Sequence, residues 1–130
     1  MSAKLLIVSG PVIVEGGAVL LVKHGDDPFW KFPGGRVHGF EETLRDTTVR
    51  RAKEELGLTL QLEEREPYFL YVKKPTEIGE IDVVLVHFLA RSIGTVVPGT
   101  EISKWAWIKL DQLPSDLGPN IRPALQFFGL

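Results

Sequence analysis

Glu54 and Glu55 stand side by side in VRRAKEELGL, Val49–Leu58, with Arg51 about one helical turn before them. Adjacent carboxylates on a short helix offer hard oxygen ligands, the kind that Mg²⁺ and Mn²⁺ favour. Upstream, Pro33-Gly34-Gly35 makes a tight loop, and glycine backbone lets a ligand come close to carbonyls and amides. Taken singly, the loop is a turn and the glutamate pair a solvated helix face. Together they outline a metal site, and Arg51 complicates it. At i,i+3 to Glu54 and i,i+4 to Glu55, a permanently charged guanidinium reaches the same region, repels a divalent ion and competes for the carboxylates.

A helix over Glu42–Leu56 must position these groups, ended by Gly57 where a left-handed cap is wanted. At 100° per residue Val49, Ala52 and Leu56 share the core face, and Arg51, Glu54 and Glu55 lie together on another. Glu42, Asp46, Arg50 and Lys53 form a third, charged stripe, with Asp46 and Arg50 at pairing distance. Strands are expected over Ile7–Val14, Ala18–Val22, Leu60–Leu62, Phe69–Val72, Ile81–Ala90 and Lys104–Ile108. His24–Pro28 reads as a loop and Lys73–Gly79 as a turn. Leu110–Leu113 reads as a short turn of helix and Arg122–Phe128 as a closing helix. One dominant helix with strands before and after it gives a mixed α and β fold around a mainly antiparallel or mixed sheet.

The bulk numbers narrow the function classes. The 130 residues make one domain, 1–130, with 44% hydrophobic and 25% charged residues, as in ordinary soluble proteins. A net charge of −2 argues against general nucleic-acid binding, though a nucleotide can still be held in a single basic pocket. Without cysteine there are no disulfides and no thiolate zinc site. No apolar run is long enough to span a bilayer, and a cytoplasmic location is expected.

The stretch PGGRVHGFEETLRDTTVRRAKEELGL resembles the Nudix box, the signature of hydrolases acting on a nucleoside diphosphate linked to another moiety. Glu42, Arg50, Glu54, Glu55 and Gly57-Leu58 fall in register with it. FWKFPGG resembles the strand leading into the box, and GTEISKWAWIKLDQLP the family's late segment, with Glu101 ahead of Trp107. The chain departs at two places. The loop between Gly35 and Glu42 is one residue longer, which a loop absorbs at small cost, and Arg51 stands where the family has glutamate.

The resemblance implies an α+β fold, an α/β/α sandwich with a mixed central sheet and the box helix packed on it. It implies metal-dependent hydrolysis, with Mg²⁺ or Mn²⁺ held by Gly34, Glu54 and Glu55. Glu54 and Glu101 would position or deprotonate water, and Arg50 would orient the glutamates. Arg51 would meet substrate phosphate or replace a metal with a fixed charge. The residues themselves suggest that Arg36 contacts a diphosphate or faces solvent, that His38 acts as a base, touches phosphate or is an exposed loop histidine, and that of Trp30 and Phe29 one stacks on a base while the other fills the core. The substrate would be a small nucleoside diphosphate derivative, and family precedent makes a homodimer reasonable. Two alternatives stay open. GDP-mannose mannosyl hydrolases also lack the glutamate after the box arginine and attack carbon, and loss of catalysis would leave a nucleotide-binding module. His87 reads more simply as a core histidine than as a catalytic one, Glu101 also fits a solvated loop charge, and Glu80 and Asp82 read as edge charges.

Overall fold

Val19, Leu20, Leu21 and Val22 are fully buried in consecutive positions, so both faces of their strand must be covered. The computed structural model, which describes residues 4–39 and 41–130, shows how. In chain order the elements are β1 (Leu5–Glu15), β2 (Ala18–His24), β3 (Gly35–Arg36), α1 (Leu44–Leu56), β4 (Thr59–Leu62), β5 (Tyr68–Thr76), β6 (Gly79–Ile93), β7 (Ile102–Lys109) and α2 (Ile121–Phe127). The strands form one mixed sheet of order β4-β6-β1-β2-β7, with β3 attached to β1 and β5 to β6. Pairing is antiparallel except between β1 and β6, which run parallel from Leu5↔Asp82 to Ile13↔Ala90.

Alternation along the strands divides the core in two. Ile13, Leu20 and Val22 face α1 and pack with its Ala52 and Leu56. Their neighbours Val12, Val19 and Leu21 face α2 and pack with Ile121, Ala124 and Leu125. The result is the sandwich of helix, mixed sheet and helix that the resemblance implies. No described helix is long and apolar enough to cross a membrane.

Local chemistry explains where the element boundaries differ from expectation. The helix begins at Leu44, because the Thr43 hydroxyl caps it by accepting from the Asp46 N–H at 3.0 Å. Lys73–Gly79 is not all turn. β5 runs on to Thr76, leaving only Glu77-Ile78 to reverse the chain, and Pro75 is tolerated because β5 is an edge strand. Leu110–Leu113 is a turn, closed by Gln112 N–H on the Lys109 carbonyl at 2.9 Å and leading into Pro114, which disfavours helix at the residue before it.

Candidate active site

Three segments meet where α1 ends. Gly57 stops the helix in the left-handed conformation, φ 67°, and its N–H closes on the Lys53 carbonyl at 3.0 Å. The carbonyls of Glu55 and Leu56, left without helical partners, accept from the N–H groups of Gly99 (2.7 Å) and Val97 (2.8 Å). That fastening places Glu101 nearby, and its own carbonyl accepts from the Gly25 N–H, just beyond β2, at 3.1 Å. On the opposite side Gly34 interlocks with β1. Its φ is 140°, and a Cβ there would lie 2.6 Å from the Ser9 carbonyl oxygen and 2.7 Å from Gly10 Cα, so only glycine fits. Ser9 also anchors α1, its hydroxyl lying 3.0 Å from the Leu44 carbonyl and 2.6 Å from the Thr48 hydroxyl.

Glu55 is the buried centre of this junction. A carboxylate fully removed from water needs donors to offset its lost hydration. It accepts from the Gly34 N–H at 3.1 Å, and His24 Nε2 lies 3.3 Å from both of its oxygens. A carboxylate only accepts, so that nitrogen carries a proton. Arg51 Nη2 approaches the same carboxylate at 3.3 Å.

Arg51 gathers the remaining acids. Its Nη1 lies 3.5 Å from Glu54 Oε2 and its Nη2 3.4 Å from Glu101 Oε1, so one guanidinium faces three carboxylates. It also covers Gly35, where a Cβ would come 2.8 Å from its Cζ. Its Nε is buried with no hydrogen-bond partner among the described residues. Arg50 forms a second hub. It grips Glu42 through Nε and Nη2 at 2.8 and 2.9 Å and bonds Glu54 through Nη1. These bonds, with that from Thr47, hold the Glu42 carboxyl down at about 2 and raise the Arg50 pKa. The expected Asp46–Arg50 pairing is replaced, because Glu42 and Glu54 receive all the donors that Arg50 uses.

The structure therefore brings together Glu54, Glu55, Glu101, Arg50, Arg51 and the Gly34 amide. It does not bring Arg36, His38 or Trp30 onto the carboxylates. Arg36 and His38 are exposed. Trp30 packs against the core on the α2 side, with Lys23 Nζ 5.0 Å from its ring centroid, and Phe29 is the exposed one of that pair. His87 is a core residue, accepting from Asn120 Nδ2 at 2.8 Å and donating from Nδ1 to the Gly10 carbonyl at 3.3 Å. Burial pushes its pKa down to about 4. His24 is the participant that the loop expectation missed. It ends β2, and its alternation with Leu20 and Val22, which turn toward α1, was the available signal.

Among the described residues no three acidic or histidine side chains already form a metal-binding group; the carboxylates are spaced around the guanidinium instead. Their chemistry nevertheless fits a hard cation. Among the described residues the ion pairs of Glu42, Glu54, Glu55 and Glu101 run to Arg50, Arg51 and His24, so the carboxylates outnumber the guanidiniums. A divalent ion matches the oxygen donors and the net negative charge.

Comparison with known proteins follows this geometry. A family model for the NUDIX domain matches residues 4–128. A protein of Bacillus subtilis (strain 168) named for 8-oxo-dGTP diphosphatase activity is 29% identical over 120 residues, spanning 90% of this chain and 74% of that one. The crystal structure of a MutT NUDIX hydrolase from Burkholderia pseudomallei superposes with a TM-score of 0.75 at 29% identity, covering 95% of this chain and 97% of that one. The solution structure of the E. coli ORF135 protein shares the fold, with a TM-score of 0.73 at 24% identity over 98% and 90% of the two chains. Family enzymes generally use divalent ions such as Mg²⁺ or Mn²⁺ and act on small nucleotide derivatives. The helix carrying Glu54 and Glu55, the glycine loop clasped to it and the matched length lead to one conclusion: this chain belongs to the NUDIX domain family and is a Nudix-type hydrolase acting on phosphoanhydride bonds.

Proposed function

We propose that this chain hydrolyses a nucleoside diphosphate derivative, including nucleoside triphosphates and nucleotide sugars, by attack of water at phosphorus. The observation that carries the reading is the convergence of Glu54, Glu55 and Glu101 on one cationic seat, with each carboxylate within 3.3 to 3.5 Å of the same guanidinium. Phosphoryl transfer needs positive charge at the anhydride oxygens and a positioned water, with little covalent chemistry from the protein. The relatives named for diphosphatase and MutT activity support the same reaction class.

Glu54, Glu55 and the Gly34 carbonyl are the groups that would hold Mg²⁺ or Mn²⁺. When bound, that ion neutralises phosphoryl oxygens and makes a water more acidic. The chain's own residues do the remaining work. Glu55, buried and fixed by Gly34 and His24, is the rigid reference of the site. Arg50 holds Glu54 against Glu42, so that Glu54 faces the seat in one orientation. Glu101 approaches from the segment fastened to the helix end, and with Glu54 it orients or deprotonates the attacking water. Arg36 and His38, exposed beside the glycine loop, meet the outer phosphates. The reading carries with it a single domain, a cytoplasmic setting and a homodimer, the last supported by exposed Phe69 and Tyr71 on edge strand β5.

The test is a release assay over nucleoside triphosphates, 8-oxo-dGTP and nucleotide sugars, with Mg²⁺, with Mn²⁺ and with EDTA. Nucleoside monophosphate or pyrophosphate that disappears with EDTA supports the proposal. Free sugar beside intact nucleoside diphosphate would mark attack at carbon and overturn it, as would silence across the panel.

A further inference from the structure

We infer that Arg51 is a resident counter-ion: its guanidinium and a divalent metal ion are mutually exclusive occupants of the seat made by Glu54, Glu55 and Glu101. The inference rests on the reading of Glu54 and Glu55 as metal-holding side chains and adds a property of this chain's own, competition from within.

The geometry supports exclusion. The guanidinium lies 3.5 Å from a Glu54 oxygen, 3.3 Å from a Glu55 oxygen and 3.4 Å from a Glu101 oxygen. An ion sharing those oxygens would stand against it, and like charges at such separations repel strongly beside a fully buried carboxylate, where solvent screens little. Both oxygens of Glu54 are already engaged, one by Arg50 and one by Arg51. Both of Glu55 are engaged by Gly34, His24 and Arg51. A hard ion needs those lone pairs, so a divalent occupant must first displace the arginine.

The occupant is also an imperfect fit, which makes displacement feasible. Arg51 Nε is buried without a partner among the described residues, and leaving such a donor unsatisfied carries a real cost. Gly35 permits the present pose, since a Cβ at that position would overlap the guanidinium head. A native Gly35 and a native Arg51 together hold the seat for the guanidinium.

The experiment uses the full chain and Mn²⁺ alone, with no nucleotide, read by calorimetry and electron paramagnetic resonance. Wild type is compared with Arg51→Gln, which removes the charge, and Gly35→Ala, which keeps the charge and crowds it from its place. Arg51→Gln should bind Mn²⁺ more tightly by about tenfold or more. Without metal it should melt lower than wild type, because the carboxylates then repel one another, and Mn²⁺ should restore it. Gly35→Ala should also bind more tightly than wild type, and it decides the matter if Arg51→Gln does not fold without metal. Equal Mn²⁺ affinity in wild type and variant overturns the inference. The assay is independent of catalysis: a silent nucleotide panel with tightened Mn²⁺ binding sinks only the proposed reaction, and an active panel with equal Mn²⁺ binding sinks only the exclusion.

Discussion

The Arg51 guanidinium and the Glu101 carboxylate lie 3.4 Å apart, although fifty residues separate them in the chain. The contact follows from a backbone event, the capture of the Gly99 N–H by the Glu55 carbonyl at 2.7 Å. Gly99 suits this approach because even a Cβ there would sit 3.2 Å from the Glu54 carbonyl oxygen. The end of one helix thus supplies two acids through its side chains and recruits a third through its carbonyls.

Glu55→Gln keeps the size of the side chain and removes the charge that His24, Gly34 and Arg51 share. Hydrolysis should fall by about a hundredfold or more in kcat/KM, the scale on which site electrostatics act. Steady-state kinetics on the best panel substrate, with circular dichroism to confirm folding, would read it. A loss under about threefold would remove Glu55 from the reaction.

Arg50→Lys replaces a planar fork with a point charge, which cannot grip both oxygens of Glu42 and still reach Glu54. The Glu42 carboxyl, held at about 2 by this arginine, should move up toward its ordinary 4.5. Activity should fall by about tenfold or more as Glu54 loses its orientation. Carboxyl titration by NMR tests the first effect and kcat the second; a Glu42 titration that stays put would contradict the assignment.

Gly34→Ala forces a Cβ into the Ser9 carbonyl at a positive φ. The strain should cost about 1–3 kcal/mol in urea denaturation. The Gly34 amide should also shift off Glu55, so activity should drop further than stability alone accounts for. A variant as stable and as active as wild type would show that the interlock is not needed.

Acid should weaken the fold through His87. Its folded pKa of about 4 lies below the ordinary 6.5, so the unfolded chain binds a proton first as pH falls. This contribution is complete above pH 6.5, is lost between about 6.5 and 4, and amounts to up to about 3 kcal/mol. Denaturation midpoints at pH 7.5, 5.5 and 4 should decline in wild type and flatten in His87→Leu. Equal slopes in the two would assign the decline to other groups.

Much of this arrangement was legible in the residues, and the gaps have physical causes. The helix closing on Gly57 and the closeness of Arg51 to Glu54 and Glu55 follow from local periodicity, and the aliphatic run Ala18–Val22 marks β2. Glu101 could be named from resemblance, but its contact with Arg51 depends on hydrogen bonds between distant carbonyls and amides, which side-chain patterns do not encode. Gly25 and the aspartates after it make His24 look like loop, although strand alternation carries one residue further. Spacing alone favours Asp46 as the partner of Arg50, whereas Glu42 before the helix meets it with both oxygens.

The parallel pairing of β1 with β6 sets a timetable. β1 is made well before β6, and its pairing with that strand is complete only once Ala90 has been made. Until then its apolar residues wait, and closing so long a loop is slow. Gly34 is clasped against Ser9 and Gly10 of that same strand, and Glu101 arrives later still. Refolding should therefore show helix signal early and enzymatic competence late, with α1 formed well before its carboxylates have anything to hold.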